Sequence, residues 1–385
     1  MNSKEISSKD NNEVLKIFYF GSMSIGKPNG PGLNERDFIE DISIRRNVKL
    51  TAYAPFEDSL DLDNFKNVNI RKVYPYPIVR EINAVLLLIY DFFFKKLRKP
   101  NIVIFRVGQL PLIQLILIKF FNIFSIPTHL KTIGVGICNL SKKKDILNKF
   151  NYLIIRNILK NTTSIDTPTN FSKNKIKNTF DIDKKKILII NNGAKIPKKI
   201  INNKKNLDEI YFGYIGRFPY IRGGKQVVES VYEAKKLGID AYGIITGDES
   251  EIIELEALTK KLDVAGDIDF VGILPQDQMH ILLNKIDIGL SIVEGIQGTA
   301  GQKLRQYLMY GCVAVHMNDE FMLSTKEDFI IEYTTSKGLV EKLITKEILK
   351  ITDRNSISKW AKENVSYEHF NAKRINHFIE LCTNN

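Results

Sequence analysis

Gly213–Lys225 reads GYIGRFPYIRGGK and Ser291–Cys312 reads SIVEGIQGTAGQKLRQYLMYGC. In each stretch an apolar run of strand length stops at a glycine-containing loop that opens a helix. The first run ends at Ile215, and Gly216 lets the chain turn sharply. Arg217 and Arg222 then project from the loop before a helix that holds Lys225. Cationic side chains beside a helix N-terminus supply the charges, forked donors and free amides that a diphosphate needs. The second run ends near Val293, followed by Glu294 and by Gly295, Gly298 and Gly301. Gln302–Tyr310 has the pattern of a helix, and Gly311 stands where a helix stops. Small residues at Gly298-Thr299-Ala300-Gly301 let backbone amides approach an anion, with the positive end of the helix dipole behind them. Taken singly, either loop also reads as a solvated connection in a basic protein. Together they are more specific, because both fall on the C-terminal edge of one parallel sheet, where open α/β sheets bind ligands.

Working outward, strands and helices alternate along the whole chain. Leu15–Phe20, Lys49–Ala54, Ile102–Phe105, His129–Val135 and Leu188–Ile190 read as buried strands, with helical patterns over Ile82–Leu97 and Pro111–Phe124. A polar, basic segment, AKIPKKIINNKKN, follows from Ala194. The alternation then restarts at Ile210–Ile215 and runs through Ala241–Thr246, Ile268–Val271, Ile288–Val293 and Val313–His316. Repeated β-α units imply parallel sheets covered on both faces. The expected organisation is a two-domain α/β protein. A Rossmann-like domain spans 1–193, a linker 194–208 and a second Rossmann-like domain 209–360. A C-terminal helix over 361–385 either returns to the first domain or caps the second.

Composition narrows the function classes. The 385 residues suit two domains, and 56 Lys and Arg against 44 Asp and Glu leave a net charge of +12. That balance favours phosphate-bearing ligands, a membrane surface or nucleic acid. No helix-turn-helix, RRM or zinc-finger pattern accompanies it, so nucleic acid is not an expected partner. Three separated cysteines without a CxxC argue against a disulfide framework and suit a reducing cytosol. The first thirteen residues are polar, unlike a signal peptide, and no apolar window is long and clean enough to span a bilayer. A cytoplasmic protein is expected, soluble or peripheral at the inner face of the membrane.

The two quoted stretches resemble the nucleotide-sugar-binding half of retaining glycosyltransferases of the GT-B fold, family 4 in particular. Gly216-Arg217 matches the family's G-R, and Arg222-Gly223 falls where its K-G opens a helix, with Lys225 beside it. A strand ending near Gly247 and a glycine after a short strand, Gly272, also match. So does Lys303-Leu304-Arg305-Gln306-Tyr307 with Gly311, against K-L-x-E-Y-x-x-x-G. The resemblance covers about 210–315 and extends to the first half only by layout. It implies two doubly wound domains facing a cleft. It also implies transfer of a sugar from a nucleotide-diphosphate sugar to a glycan, lipid-linked or protein acceptor, with retention, no metal and no cofactor.

The implied catalytic residues are Arg217, Arg222 and Glu294. The donor-binding set is Gly32, Gly216, Lys225, Gly272, Thr299, Ala300, Gly301, Gln302, Lys303, Leu304 and Gln306. Two departures stand out: Gln306 replaces the family's second glutamate, about four residues further from Glu294 than usual, and Arg222 replaces a lysine. Gln306 keeps alive a non-catalytic subunit that stabilises a partner glycosyltransferase, and a nucleotide-sugar epimerase is the other alternative. No catalytic histidine transfers, and His129 reads as structural. Asp61-Leu62-Asp63, Asp181-Ile182-Asp183 and Asp267-Ile268-Asp269 sit in a chain rich in Asp and Ile, and the five histidines lack zinc spacing. Lys95, Lys96, Arg98 and Lys99, with Phe92-Phe93-Phe94 before them, would suit anionic lipid head groups.

Overall fold

The computed structural model describes residues 14–21, 25, 30–56, 65, 67–74, 76–93, 99–106, 111–132, 146–201, 209–275, 278–293, 301–345 and 353–383. The chain divides into two compact units. One contains Met1–Thr167, Lys175–Leu188 and Lys373–Asn385, the other Pro168–Asn174 and Ile189–Ala372.

The first unit is built on a seven-stranded sheet. Its strands are β1 (Leu15–Phe20), β2 (Val48–Ala54), β3 (Val68–Lys72), β4 (Ile102–Arg106), β5 (Thr128–Lys131), β6 (Ser164–Thr167) and β7 (Ile187–Ile189), in the order β3-β2-β1-β4-β5-β6-β7. β1 to β6 pair in parallel. Alternation along β1 sends Ile17 and Tyr19 to one core with Phe38, Ile39 and Ile42, and Phe18 and Phe20 to a second core on the other face. Helix α1 (Gly30–Ser43) supplies the first core. Helices α2 (Pro77–Phe93), α3 (Pro111–Ile123), α4 (Ile146–Asn161) and α5 (Asn170–Phe180) supply the second. Pro77 and Pro111 open their helices, where a missing N–H costs nothing. No described helix is long and apolar enough to cross a membrane.

The second unit holds a six-stranded parallel sheet in the order β10-β9-β8-β11-β12-β13. Its strands are β8 (Glu209–Tyr214), β9 (Asp240–Thr246), β10 (Ile268–Gly272), β11 (Ile288–Ser291), β12 (Val313–His316) and β13 (Ile330–Glu332). The helices are α6 (Gly224–Lys236), α7 (Glu249–Lys261), α8 (Met279–Lys285), α9 (Gln302–Met309), α10 (Glu320–Leu323), α11 (Ser336–Thr345) and α12 (Arg354–Val365). Helix α13 (Tyr367–Thr383) begins in this unit, and its residues from Lys373 onward count with the first. Ile375 and Phe378 enter the core that contains Ile17. In both sheets the strand order reverses once, between β1 and β4 and between β8 and β11. Those reversals are where a doubly wound sheet opens a crevice at its C-terminal edge.

Three expected elements differ from what folds. The strand expected over His129–Val135 is β5, ending at Lys131. The loop expected through Glu35 is already helical from Gly30, because Pro31 fits a first helical turn, so Gly32 lies buried inside α1. The single C-terminal helical stretch is two helices broken at Ser366.

Candidate functional site

In the second unit, both quoted stretches end at the β8/β11 reversal. Gly216 follows β8, and its N–H donates to Thr246 Oγ1 at the end of β9 (2.8 Å). The next residues are held by backbone bonds: Asp248 N donates to Arg217 O (2.9 Å), Gly224 N to Pro219 O (2.7 Å) and Ile292 N to Arg222 O (3.1 Å). Tyr214 Oη donates to Phe218 O (3.0 Å). Gly223 caps α6 at φ 128°, a conformation that side chains avoid. The loop is therefore a rigid bracket.

Arg217 and Arg222 converge on one ring: their guanidinium carbons lie 5.5 and 6.0 Å from the centre of Phe218. Arg217 is 68% exposed and its Nε donates to Asp248 Oδ2 at 2.7 Å, so its charge is already shared. Lys303, on the first turn of α9, reaches back 89 residues to donate to Tyr214 Oη, with Nζ 4.2 Å from the centre of that ring. A Cβ on Gly216 would overlap the end of Lys303 and come within 2.8 Å of Tyr214 Oη. Burial first, and then repulsion from Arg222, lowers the Lys303 ammonium to about 7, against a smaller opposing pull from Glu251. Burial likewise raises the Tyr214 phenol. Two cations thus crowd a partly desolvated corner where they repel each other, and a bound anion would relieve both.

The other expected residues divide. Lys225 is exposed and turns along α6 toward Glu229 (3.7 Å), so Lys303 and not Lys225 joins Arg222. Gly272 ends β10 at φ 70°, and its carbonyl accepts from Gly247 N (3.0 Å). Gly301 caps α9, but its amide is taken by Asp319 Oδ2 at 2.6 Å and does not face an anion freely. Gln302 Nε2 donates to Tyr367 Oη (2.9 Å), and Leu304 is buried at 1% exposure as a packing residue. Gln306 is partly exposed, one turn after Gln302. Glu294, Thr299 and Ala300 lie outside the described residues. Tyr214, Asp248, Glu251 and Asp319 were not anticipated. Tyr214 carried one signal, a tyrosine two residues before Gly216 on the same strand face.

The first unit holds a buried ionic cluster that the sequence did not announce. Asp166 accepts from Arg374 Nε (2.8 Å) and Nη2 (2.7 Å), and His129 Nε2 lies 3.4 Å away. His129 Nδ1 bonds to Ser164 Oγ (2.8 Å), so His129 is a buried structural residue. Glu35 pairs with Arg106 and accepts from Tyr19 Oη, while Lys131 sits 4.1 Å over the Phe38 ring. Burial raises the Glu35 carboxyl against Lys131, and burial with Arg374 beside it lowers the Lys131 ammonium. Among the described residues no three His, Cys, Asp or Glu side chains gather as a metal site would require.

No family model matches the chain. A 2-deoxystreptamine glucosyltransferase of Streptomyces kanamyceticus is 27% identical over 90 residues, spanning 23% of this chain and 23% of that enzyme. Structural likeness is far broader. A glycosyltransferase from Rickettsia africae superposes with a TM-score of 0.68 at 16% identity, covering 97% of this chain and all 100% of the other. HepE of Anabaena, in complex with UDP, gives 0.66 at 12% identity, with 95% and 100% covered. Over nearly its whole length the chain has the two-sheet GT-B fold of these glycosyltransferases.

Proposed function

We propose that the protein is a glycosyltransferase that moves a sugar from a nucleotide-diphosphate donor to a glycan, lipid-linked or protein acceptor. The observation that carries this reading is the gathering of Arg222 and the partly buried Lys303 beside Gly216, at the strand-order reversal of the second sheet. Bond breaking at the anomeric carbon leaves negative charge on the departing diphosphate. Donors already fixed in place stabilise that charge at no cost in reorganisation. Arg222 and Lys303 supply it directly, and Arg217 contributes less, being exposed and shared with Asp248. In this reading Glu294 orients the donor sugar, Gln306 meets the ribose, transfer proceeds with retention, and the cations take the place of a metal. The UDP held by HepE supports a nucleotide donor.

Titration with UDP, GDP and ADP in the presence of EDTA tests the reading. One nucleotide is expected to bind and to raise the melting temperature, by about 2.7 kcal/mol of stabilisation at a hundredfold excess over its Kd. Absence of binding by all three would instead favour the non-catalytic subunit that Gln306 suggests.

The reading extends to an anionic membrane surface at the inner face of the cytoplasmic membrane. Val79, Ile82, Leu86, Ile89, Tyr90 and Phe93 leave one stripe of α2 exposed, and Leu112, Ile116 and Ile123 do the same on α3. The two helices touch through Phe92 and Phe120. Lys95, Lys96, Arg98 and Lys99 follow α2 directly in sequence. The chain is expected to sediment with phosphatidylglycerol-containing vesicles and not with phosphatidylcholine alone. Replacing the four basic residues by Gln should weaken binding by about 1 kcal/mol per charge. Equal sedimentation with both lipids would remove the electrostatic argument.

A further inference from the structure

Tyr214 ends β8, and the loop that leads to α6 is built against its ring. The side chain is fully buried, and a Cβ on Gly223, at the other end of the loop, would come within 3.2 Å of Tyr214 Cδ2. The phenol has one proton, which Oη donates to the carbonyl of Phe218 at 3.0 Å. Burial raises the phenol above its ordinary value of 10, so the proton stays in place at neutral pH. The oxygen is then left with lone pairs only, a neutral acceptor inside the protein that is costly to leave unused. Lys303 Nζ donates to it, arriving from the first turn of α9.

A tyrosine that served only to hold the loop would need its ring and its bond to Phe218. The second use of the oxygen is directed at a cation. A lysine stem turns about four bonds and gives up that freedom only where its end is held. Here two contacts hold it: Oη accepts from Nζ, and the ring centre lies 4.2 Å from Nζ. Gly216 leaves the room for both, since a Cβ there would overlap Nζ and reach within 2.8 Å of Tyr214 Oη. The other charges acting on the ammonium are Arg222 in the loop, which repels it, and Glu251 on α7, which attracts it. Glu251 is engaged elsewhere, its Oε2 accepting from Tyr220 N at 2.9 Å. Tyr214 is therefore the residue that fixes where the Lys303 charge stands.

We propose that Tyr214 is a positioning residue, its hydroxyl holding the Lys303 ammonium beside Gly216 and Arg222 in the corner where an anion is met. That this anion is the diphosphate of a sugar donor rests on the glycosyltransferase reading; the hold of Tyr214 on Lys303 does not. Carbon-13 NMR titration of the full-length protein, labelled at lysine Cε, reads the contact directly, with the Lys303 signal assigned by its loss in Lys303→Arg. In the wild type Lys303 should titrate near 7, well below 10.5. Tyr214→Phe keeps the ring and removes the acceptor, so the titration should move down by about one further unit, the worth of a hydrogen bond to a charged group. Calorimetry with UDP, GDP and ADP on the same samples reads the consequence. The nucleotide that the wild type binds should bind Tyr214→Phe about tenfold more weakly. In a Lys303→Ala background the same replacement should change affinity by no more than about twofold, because it acts through Lys303. Equal losses in the two backgrounds would mean that Tyr214 only holds the loop, and would overturn the proposal. So would an unmoved titration in a folded Tyr214→Phe. The wild-type titration decides the matter even where that variant does not fold: a value near 7 supports the hold, and a value near 10.5 means a solvated lysine and no hold. Should none of the three nucleotides bind while the titration moves as expected, the glycosyltransferase reading fails and the hold stands. Nucleotide binding with an unmoved titration sinks this proposal alone.

Discussion

Lys303→Ala is expected to lower the rate of sugar transfer about 10²–10³-fold, the loss typical of removing one preorganised donor from a developing negative charge. Three cations lie near the loop after β8, and their surroundings rank them. Arg217 is 68% exposed and bound to Asp248, so water and a carboxylate already screen it. Arg222 is exposed at the loop's end. Lys303 alone is partly buried, stacked on Tyr214 and pressed by Arg222, so its interaction with an anion is the least screened. Its pKa, lowered from 10.5 to about 7, adds a pH signature. Without ligand, the folded protein sheds this proton near pH 7 and the unfolded chain near 10.5. The destabilisation from holding the charge is therefore fully present below 7 and is relieved between 7 and 10.5. Binding a diphosphate returns the proton, so affinity should fall as pH rises above 7, by up to about tenfold per unit. Lys303→Arg stays charged throughout. The ratio of its affinity to that of the wild type, which cancels titration of the nucleotide itself, should climb with pH. A flat ratio from pH 6 to 9 would mean that Lys303 does not touch the phosphates.

The second sheet was legible because its strands are short, almost wholly apolar runs, each closed by glycine or a turn. IGLS and VAVH are buried nearly throughout and were read at the positions where they fold. Three strands escaped: β13, IIE, is apolar but only three residues long, and the other two are polar for a reason. β3, VNIRK, is a half-exposed edge strand, and β6, SIDT, carries Ser164 and Asp166 into the buried ionic cluster. A period-two apolar pattern cannot exist where a strand buries charge. The site shows the same division. Arg217, Arg222 and Gly216 lie in one loop and could be read together. The ammonium of Lys303 joins them only because Gly216 has no side chain and Tyr214 offers a ring, contacts made 89 residues apart. Spacing therefore proposed Lys303 as a first-turn residue of α9, and folding turns its side chain into the nearest buried charge.

Arg374→Ala should destabilise the first unit by about 3–5 kcal/mol, the usual result of stripping one partner from a buried ion pair. Both side chains of the Arg374–Asp166 pair are only 2% exposed, so the abandoned carboxylate would remain out of water. Burial alone would raise the Asp166 carboxyl; Arg374 foremost, with His129 and Lys131, overturns this and holds it well below the usual carboxylate range. The stabilisation is accordingly present above the unfolded carboxyl value of 3.8 and is lost only as pH falls through the depressed folded value. At neutral pH the variant should therefore show its full defect, a fall in melting temperature of about 2–4 °C per kcal/mol for a unit of this size. Because Arg374 lies 208 residues from Asp166, on the part of α13 that counts with the first unit, the same loss should follow deletion of the chain beyond Ala372. That deletion also removes Ile375 and Phe378 from the core, so its cost should exceed that of the single substitution. A double variant separates charge from packing. Asp166→Leu combined with Arg374→Met replaces the pair with apolar side chains, and buried ion pairs so replaced are often no less stable. The double variant should melt above Arg374→Ala alone. If Arg374→Ala instead unfolds within about 1 kcal/mol of the wild type, the surface range, the pair is solvated and α13 does not seal the first unit through it.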